Sequence, residues 1–447
     1  MKKRLIIALF FVSNIVVAQD QGDIKTSFNM KEAQDFAIKN NYKNKQAILD
    51  IAIANKKVWE TTAMGLPQIN AEAKLQKFID IPVNLAPARS FNPAASADEL
   101  IELQFGLDYS NSYGITASQL IFDGSYIVGL QAAKTYKNLS INNQIKTEIE
   151  LKEAVKQAYF TVLIAEENTA VLKKSKKSVK EVLKETSAMY KEGLVEEQSV
   201  DQLTLSVNEL STAVGIGEGQ LRFARKLLKL QMGMDISNTI SLSQELAVFI
   251  DEVKTLETEK AFNVENHVDY NLIETNVHLM KLNLRKEQYS FLPSINVFLS
   301  HQQQNMNNTF DAFSGGRWYP STVIGAQLTL PIFTSGARLS KVGQAKVELD
   351  KSQIAAKEVE QSLIYQTQAA QSNYETNHET YVNQKDNLAL AKKIYDKTLL
   401  KYKEGVASSL ELSQTQNQYL SVEGNYIKAL LELLKSRSML DTSYGIK

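Results

Sequence analysis

Two stretches of this chain alternate apolar and polar residues with period two, and the long tracts around them repeat every three to four residues. In the first stretch Ile69, Ala71, Ala73 and Leu75 alternate with Asn70, Glu72, Lys74 and Gln76. A longer run follows, in which Leu103, Phe105, Leu107, Tyr109, Tyr113, Ile115 and Ala117 alternate with small or polar residues from Gln104 to Ser118. The second stretch repeats the pattern less cleanly. Ile295, Val297 and Leu299 alternate with Asn296, Ser300 and Gln302, with Phe298 on the polar side, and Ile324, Ala326, Leu328 and Leu330 alternate with Gly325, Gln327 and Thr329. Period two predicts four strands with one apolar, tyrosine-bearing face. A transmembrane strand with lipid outside and water inside reads this way, and so does an ordinary half-buried sheet. Asp80 to Asp98 and Gln303 to Pro320 separate the strands of each pair and read as surface loops.

The tracts around the strands predict long helices. Leu151, Ala154, Ala158, Val162 and Ala165 step by three and four, and Leu172, Val179, Leu183 and Tyr190 continue the stripe. Leu388, Ala391, Tyr395, Leu399 and Tyr402 form a matching one, heptad-like as in a coiled coil,. All seven prolines lie between Pro67 and Pro93 or between Pro293 and Pro331, so no helix breaker interrupts these arms. Each arm has roughly 67 residues, or roughly 100 Å. Shorter helices of roughly 35 residues return after each arm, at about Glu196 to Met232 and Ser408 to Leu440. Half-length helices also precede each strand pair, at about Met30 to Ala63 and Asn263 to Ser290. A return helix plus a pre-strand helix has the length of one arm. End-to-end stacking therefore predicts four helical tracks per chain. It predicts the C-terminal half-helix on the N-terminal one, and Met234 to Thr258 wrapped around the junction.

The two halves are a tandem duplication. Tyr190-Lys191-Glu192-Gly193-Leu194 recurs as Tyr402-Lys403-Glu404-Gly405-Val406, 212 residues on. Leu66-Pro67-Gln68-Ile69-Asn70 recurs as Leu292-Pro293-Ser294-Ile295-Asn296, and Ile121-Phe122-Asp123-Gly124 is echoed by Ile332-Phe333-Thr334-Ser335-Gly336. The division expected is a signal peptide at 1–18, a first repeat at 19–232, a connecting segment at 233–262 and a second repeat at 263–447. Each arm ends at a glycine suited to a left-handed helix cap.

The signal reading rests on basic Lys2, Lys3 and Arg4, an apolar Leu5 to Val12, and Val16-Val17-Ala18 before Gln19,. The apolar core is too short to span a bilayer as a helix. The 50 cationic side chains match 50 acidic ones. Loss of the three leader cations leaves a net charge of about −3, which argues against nucleic acid as a partner. With no cysteine there is no disulfide, thiolate chemistry or lipidated N-terminal cysteine,. An exported chain with four membrane strands cannot close a barrel alone, because an open edge in lipid leaves backbone groups unpaired. The strands therefore require an oligomer.

With these features in order, the chain resembles the TolC-like outer membrane efflux protein family. The resemblance rests on the duplication, the Leu-Pro entry to each strand pair, the Ile-Phe exit and the glycine turns. Gly193-Leu194-Val195 followed by Ser199-Val200-Asp201-Gln202-Leu203 is similar to the family's tip signature, and Gly405-Val406-Ala407 followed by Leu410-Glu411-Leu412 is a looser copy. The resemblance implies a homotrimer in the cell outer membrane. Its twelve-stranded transmembrane β-barrel, four strands per chain, continues into a twelve-helix periplasmic α-barrel. It implies a passive export duct for small molecules, set in outer-membrane lipid, whose tips dock a periplasmic membrane-fusion adaptor and through it an inner-membrane pump. Gly193, Leu194, Val195, Gly405, Val406 and Ala407 are then the docking tips. Family members carry acidic rings near the tunnel mouth, but the matching stretch here reads Leu388-Ala389-Leu390-Ala391. Asp386 and Asp396, with Lys173 and Lys177, are the remaining candidates for a gate or partner contact.

Other chemistry is sparse. His267, His278, His301 and His378 lack metal-ligand spacing,. Gly215, Gly217 and Gly219 lack the strand that a dinucleotide loop needs, and suit a closely packed helix. No constellation supports catalysis, so neither an enzyme nor a cofactor is expected. Lys173, Lys174, Lys176, Lys177, Lys180 and Lys184 form a basic patch near the first tip, either a solvated face or an electrostatic contact,. Phe310, Phe313, Trp318 and Tyr319 suit an aromatic girdle or the packing of the second loop. The rival readings are the outer component of a protein secretion system and a periplasmic coiled-coil scaffold without a pore.

Overall fold

A computed structural model describes residues 26–254, 262–310 and 317–445. The leader at 1–18 and Phe313 lie outside them. The first half contains β1 (Ser27–Phe28), α1 (Met30–Asn40), α2 (Tyr42–Ala63), β2 (Gln68–Lys77), β3 (Val83–Pro87), β4 (Leu100–Gln104), β5 (Tyr109–Phe122), α3 (Gly124–Lys191) and α4 (Glu197–Met232). After β6 (Ser241–Leu242) and α5 (Leu246–Lys254) come α6 (Val268–Tyr289), β7 (Ser294–Asn307), β8 (Tyr319–Thr329), α7 (Ala337–Lys403) and α8 (Ser409–Ser443). The two arms have 68 and 67 residues and the return helices 36 and 35.

One compact unit gathers the sheet, α2, α6 and the adjoining parts of α3, α7 and α8. Its four strands run in the order β2-β5-β7-β8, antiparallel throughout, with β2 and β8 at the edges. In the half of the sheet next to the helices the register carries the expected alternation, whereas further out Asn111, His301, Gln303, Asn305 and Thr322 interrupt the apolar face. Ile69 pairs with Ala117, Ala117 with Leu299 and Leu299 with Ile324, while one residue on Asn70, Thr116 and Ser300 share the opposite face. On that polar face Thr116 and Ser300 hydroxyls bond at 3.0 Å and Lys74 pairs with Glu72 at 2.9 Å. Phe298, the exception in the pattern, lies over Gly325, where an added Cβ would come within 2.8 Å of its ring. Bulk on one strand is matched by its absence on the next.

Two expectations are corrected here. The run from Leu103 to Ser118 is two strands, because the chain breaks at Phe105–Asp108, where Gly106 adopts φ +154°. The segment expected as a plain loop supplies β3, which pairs with β4 in a separate hairpin. In the second loop Phe310 and Trp318 pack on Tyr109 and Tyr113 at 5.6 and 4.9 Å.

The other unit contains α1, α4, α5 and the remaining parts of α3, α7 and α8. Helix α1 starts with a reciprocal capping box between Asn29 and Glu32,. It stops at Asn41, so the segment Met30 to Ala63 is two helices. The buried Asn41 side chain donates to the Gln231 carbonyl at 2.8 Å. β1 pairs in parallel with β6, and Tyr159 donates to the Phe28 carbonyl at 3.0 Å. Phe249 packs edge-on to Phe160 at 5.2 Å. Gly217 brings α4 close to α3, where an added Cβ would lie 3.2 Å from the Thr169 hydroxyl.

The ends of the return helices also depart from expectation. Gly233 ends α4 with φ +69°, and an added Cβ would lie 2.5 Å from the Asn40 carbonyl oxygen, where α1 ends. Gly445, past the end of α8, lies against Asn266 and His267 at the start of α6, not against the N-terminal helix. Thr367 fixes this end by donating to the Ser443 carbonyl at 3.2 Å. Both glycines reverse the backbone in the left-handed region, but only at Gly233 does the missing side chain admit the neighbouring main chain. Replacing Gly233 by Ala should therefore destabilise the protein by more than the about 1–2 kcal/mol of a left-handed alanine alone. Thermal unfolding followed by helix circular dichroism should show a larger drop for Gly233→Ala than for Gly193→Ala, whose Cβ meets nothing within 4 Å.

Candidate functional site: the hairpin tips

Both hairpins turn by the same device. At the α3–α4 turn Gly193 has φ +75°, its N–H donates to Tyr190 O at 2.9 Å, and the Leu194 N–H reaches Met189 O at 2.9 Å. At the α7–α8 turn Gly405 has φ +73°, with N–H bonds from Gly405 to Tyr402 O at 3.0 Å and from Val406 to Lys401 O at 2.8 Å. This is a Schellman closure, which satisfies the last helical carbonyls and needs a left-handed residue. It projects the next side chain outward: Leu194 is 70% exposed and Val406 76%. Val195 and Ala407 are half-buried beneath them. Each tip thus carries one exposed aliphatic side chain.

Above the turns, α3, α4, α7 and α8 share a core of Val179, Val182, Leu203, Leu210 and Leu412, with Tyr395, Leu399 and Tyr402 packed against it. Hydroxyl contacts join the two hairpins around that core. Thr186 and Tyr402 bond at 2.9 Å, Ser206 and Ser413 at 3.2 Å, and Ser409 donates to Gln202 Oε1 at 2.5 Å. Lys403 pairs with Glu185 at 3.5 Å. Higher up, Tyr395 and Tyr419 stack at 5.6 Å, and the Tyr419 hydroxyl donates to Glu423 Oε1 at 3.1 Å. Glu423 is buried, and among the described residues its Oε2 has no hydrogen-bond partner. Burial pushes the Glu423 carboxyl above its usual range, and nearby Glu167 adds to this. The Tyr419 hydrogen bond, Lys392 and Lys174 act the other way.

The remaining candidates do not converge. Lys173 forms an ion pair with Glu218 on α4 at 2.7 Å, and Lys177 lies one turn nearer the tip on the same ridge. Asp386 and Asp396 are exposed, ten residues apart on α7. The cross-hairpin hydroxyls and Glu423 were not singled out by sequence reasoning. Only the heptad placement of Tyr395 and Tyr402 hinted at them, since serines and threonines at core-facing positions look like any helix surface. Among the described residues no group of histidine and carboxylate side chains is placed to hold a metal, and no helix is long and apolar enough to cross a membrane.

Residues 274–445 match the family model described as outer membrane efflux protein. The matched region is similar to that family over its whole span. The TolC-like resemblance extends through the fold of both halves. A crystal structure of CusC, described for its transmembrane channel formation, superposes with TM-score 0.73 at 16% identity, covering 96% of this chain and 95% of that one. The Campylobacter jejuni CmeC outer membrane channel gives 0.71 at 17% identity, covering 100% and 94%. The open state of the Neisseria gonorrhoeae MtrE outer membrane channel gives 0.70 at 18%, covering 94% and 90%. No curated protein matches by sequence. The matched residues contain α7, α8 and the second tip, and the structural likeness brings the first tip under the same fold.

A neutral Glu423 fits this bundle better than an ionised one. Its contribution to stability is complete below its ordinary value of 4.5 and is lost as pH rises through the raised folded value,. Glu423→Gln, neutral at every pH, should raise the thermal midpoint at pH 7.5 and flatten the gain that the wild type shows on acidification to pH 5. Identical pH profiles for the two proteins would refute the buried-carboxylate account.

Proposed function

We propose that the protein is the outer-membrane export duct of a tripartite efflux system, passively conducting small molecules delivered by a periplasmic adaptor and an inner-membrane pump. The observation that carries this reading is the four-stranded sheet β2-β5-β7-β8, apolar on one face in the half next to the helices and unpaired at both edges among the described residues. In lipid each unpaired backbone group costs several kcal/mol. The edges are antiparallel-compatible: β8 of one copy can pair with β2 of the next. Three copies make a closed barrel of twelve strands, a usual size for outer-membrane proteins. The strands have 10 to 14 residues, enough for the 9–11 that a tilted span needs.

The helices favour the same assembly. Leu205, Ile216 and Phe223 of α4 are 60%, 59% and 76% exposed, and α7 leaves Leu339, Val347 and Ile354 open at helical spacing. Stripes of this kind belong against other helices. Three chains with four tracks each make a twelve-helix tunnel, and the polar strand faces line the lumen. The tips, Gly193-Leu194-Val195 and Gly405-Val406-Ala407, meet the adaptor, and opening is a rearrangement of the hairpins that loosens the hydroxyl contacts between them.

Light scattering on protein extracted from the outer-membrane fraction, with detergent mass subtracted, should give about 145 kDa for three mature chains. A water-soluble monomer or dimer would replace the duct with the scaffold reading. Leu194→Trp together with Val406→Trp should leave that mass unchanged but abolish drug resistance in a complemented deletion strain. Full resistance in the double variant would refute docking at the tips.

A further inference from the structure

The apolar face of the sheet changes character with distance from the helices. On β8 the exposed side chains Ile324 and Leu328 are followed past the strand end by Leu330 and Ile332, a contour of at most roughly 26 Å. That nearly matches the apolar band of about 25 Å on lipid-facing barrels. Beyond it come hydrogen-bonding groups. Thr322 follows Ile324, and His301 follows Leu299 on the neighbouring strand. His301 Nδ1 and the Thr322 hydroxyl lie 2.7 Å apart, and Gln303 Nε2 is 3.4 Å from His301 Nε2. Further out Asn111 and Asn305 face each other, both buried, and Asn111 Oδ1, Asn111 Nδ2 and Asn305 Oδ1 have no partner among the described residues. Hydrocarbon over such a layer would leave these groups uncompensated, so lipid tails end near Leu299 and Ile324. Asn305 Nδ2 donates to the Arg317 carbonyl at 3.1 Å, beside Trp318, whose ring tilts against Tyr113 at 4.9 Å. Among the paired residues of this face beyond Leu299, Lys77 is the only lysine, arginine or carboxylate.

We propose that His301, Gln303 and Thr322, with the Tyr113–Trp318 pair, hold the saccharide headgroup of an outer-leaflet glycolipid. The proposal rests on the duct reading, which puts this face of the sheet against the outer membrane. Thickness selects a sugar-bearing lipid. From His301 to the end of β7 at Asn307 the strand runs roughly 20 Å further, a height of about 14 Å at the usual barrel tilt. A phospholipid headgroup layer supplies only about 5–7 Å on each side, so the rim stands clear of it. Chemistry selects the same ligand. Amide, imidazole and hydroxyl groups both donate to and accept from sugar hydroxyls. The electron-rich faces of Tyr113 and Trp318 suit the C–H faces of a pyranose. The scarcity of charge distinguishes this rim from a surface built for bulk water and from one built for phosphate, which calls for arginine or lysine. Asn305 acts beneath the surface, holding the segment that carries Trp318.

The test uses the full-length protein in nanodiscs of phosphatidylethanolamine and phosphatidylglycerol, with and without a rough lipopolysaccharide that carries core sugars. The chain has no cysteine, so Ile324→Cys and Pro320→Cys each create one site for a spin label. The label at position 324 should be open to oxygen and closed to nickel-EDDA in every disc. The label at position 320, which faces the same side opposite Gln303, should be open to nickel-EDDA in phospholipid discs. Lipopolysaccharide should at least halve that access, and lipid A without core sugars should not. Lipopolysaccharide should also raise the thermal midpoint of the unlabelled protein by about 2 °C or more. His301→Leu with Gln303→Leu should lose this rise, and Gln302→Leu with Gln304→Leu, on the opposite face, should keep it. Nickel access at position 320 that ignores the core sugars, or a rise that survives the His301/Gln303 change, would overturn the proposal. Equal protection by soluble core oligosaccharide would also overturn it, since the ligand would then be a free saccharide. The position 320 label decides the point even where the double variant fails to assemble. The duct reading fails separately. Nickel-EDDA at position 324 in every disc would take the sheet out of lipid and the duct with it, whereas a label at 324 in hydrocarbon with no shielding at 320 removes the sugar contact and leaves the duct.

Discussion

Strands β2 and β8 each present one row of backbone N–H and C=O groups along a sheet edge, and one face of the same sheet is lined by Ile69, Ala117, Leu299 and Ile324. In water such an edge is a site for unwanted pairing; in hydrocarbon it is too costly to leave open. In the proposed duct that constraint is met by closure among copies. The exposed apolar stripes of α4 and α7 fit the same proposed arrangement, in which Thr116, Ser300 and the Glu72–Lys74 pair face a lumen.

The hairpin ends solve a different problem. In the proposed duct they stay folded while presenting a surface to a partner and permitting movement. The Schellman turns at Gly193 and Gly405 complete the backbone hydrogen bonding locally, so the turn needs no burial of Leu194 or Val406. Between the hairpins, hydroxyl pairs such as Thr186–Tyr402 and Ser206–Ser413 surround a small apolar core. Hydroxyls lose little when they exchange a protein partner for water, whereas separating a large apolar interface exposes its whole area. Glu423 extends the same logic, since a buried carboxyl with one unpartnered oxygen weakens the packed state where it is ionised.

Much of this protein is determined locally and is therefore legible in the sequence. Period-two runs, Pro-free arms and glycine caps depend on residues a few positions apart, so the strands, the two 67- to 68-residue arms and both tips were anticipated. The duplication made one half a check on the other. Tertiary structure alone decided the contacts between distant segments. The break at Asn41 follows from its bond to Gln231, and the two ends at Gly233 and Gly445 were assigned by which main chain approaches each glycine. The division of the long run at Gly106 and the β3–β4 hairpin depend on a pairing partner that periodicity does not name. Likewise Glu423 is one glutamate among many until burial and Tyr419 surround it, because desolvation is a property of the packed environment.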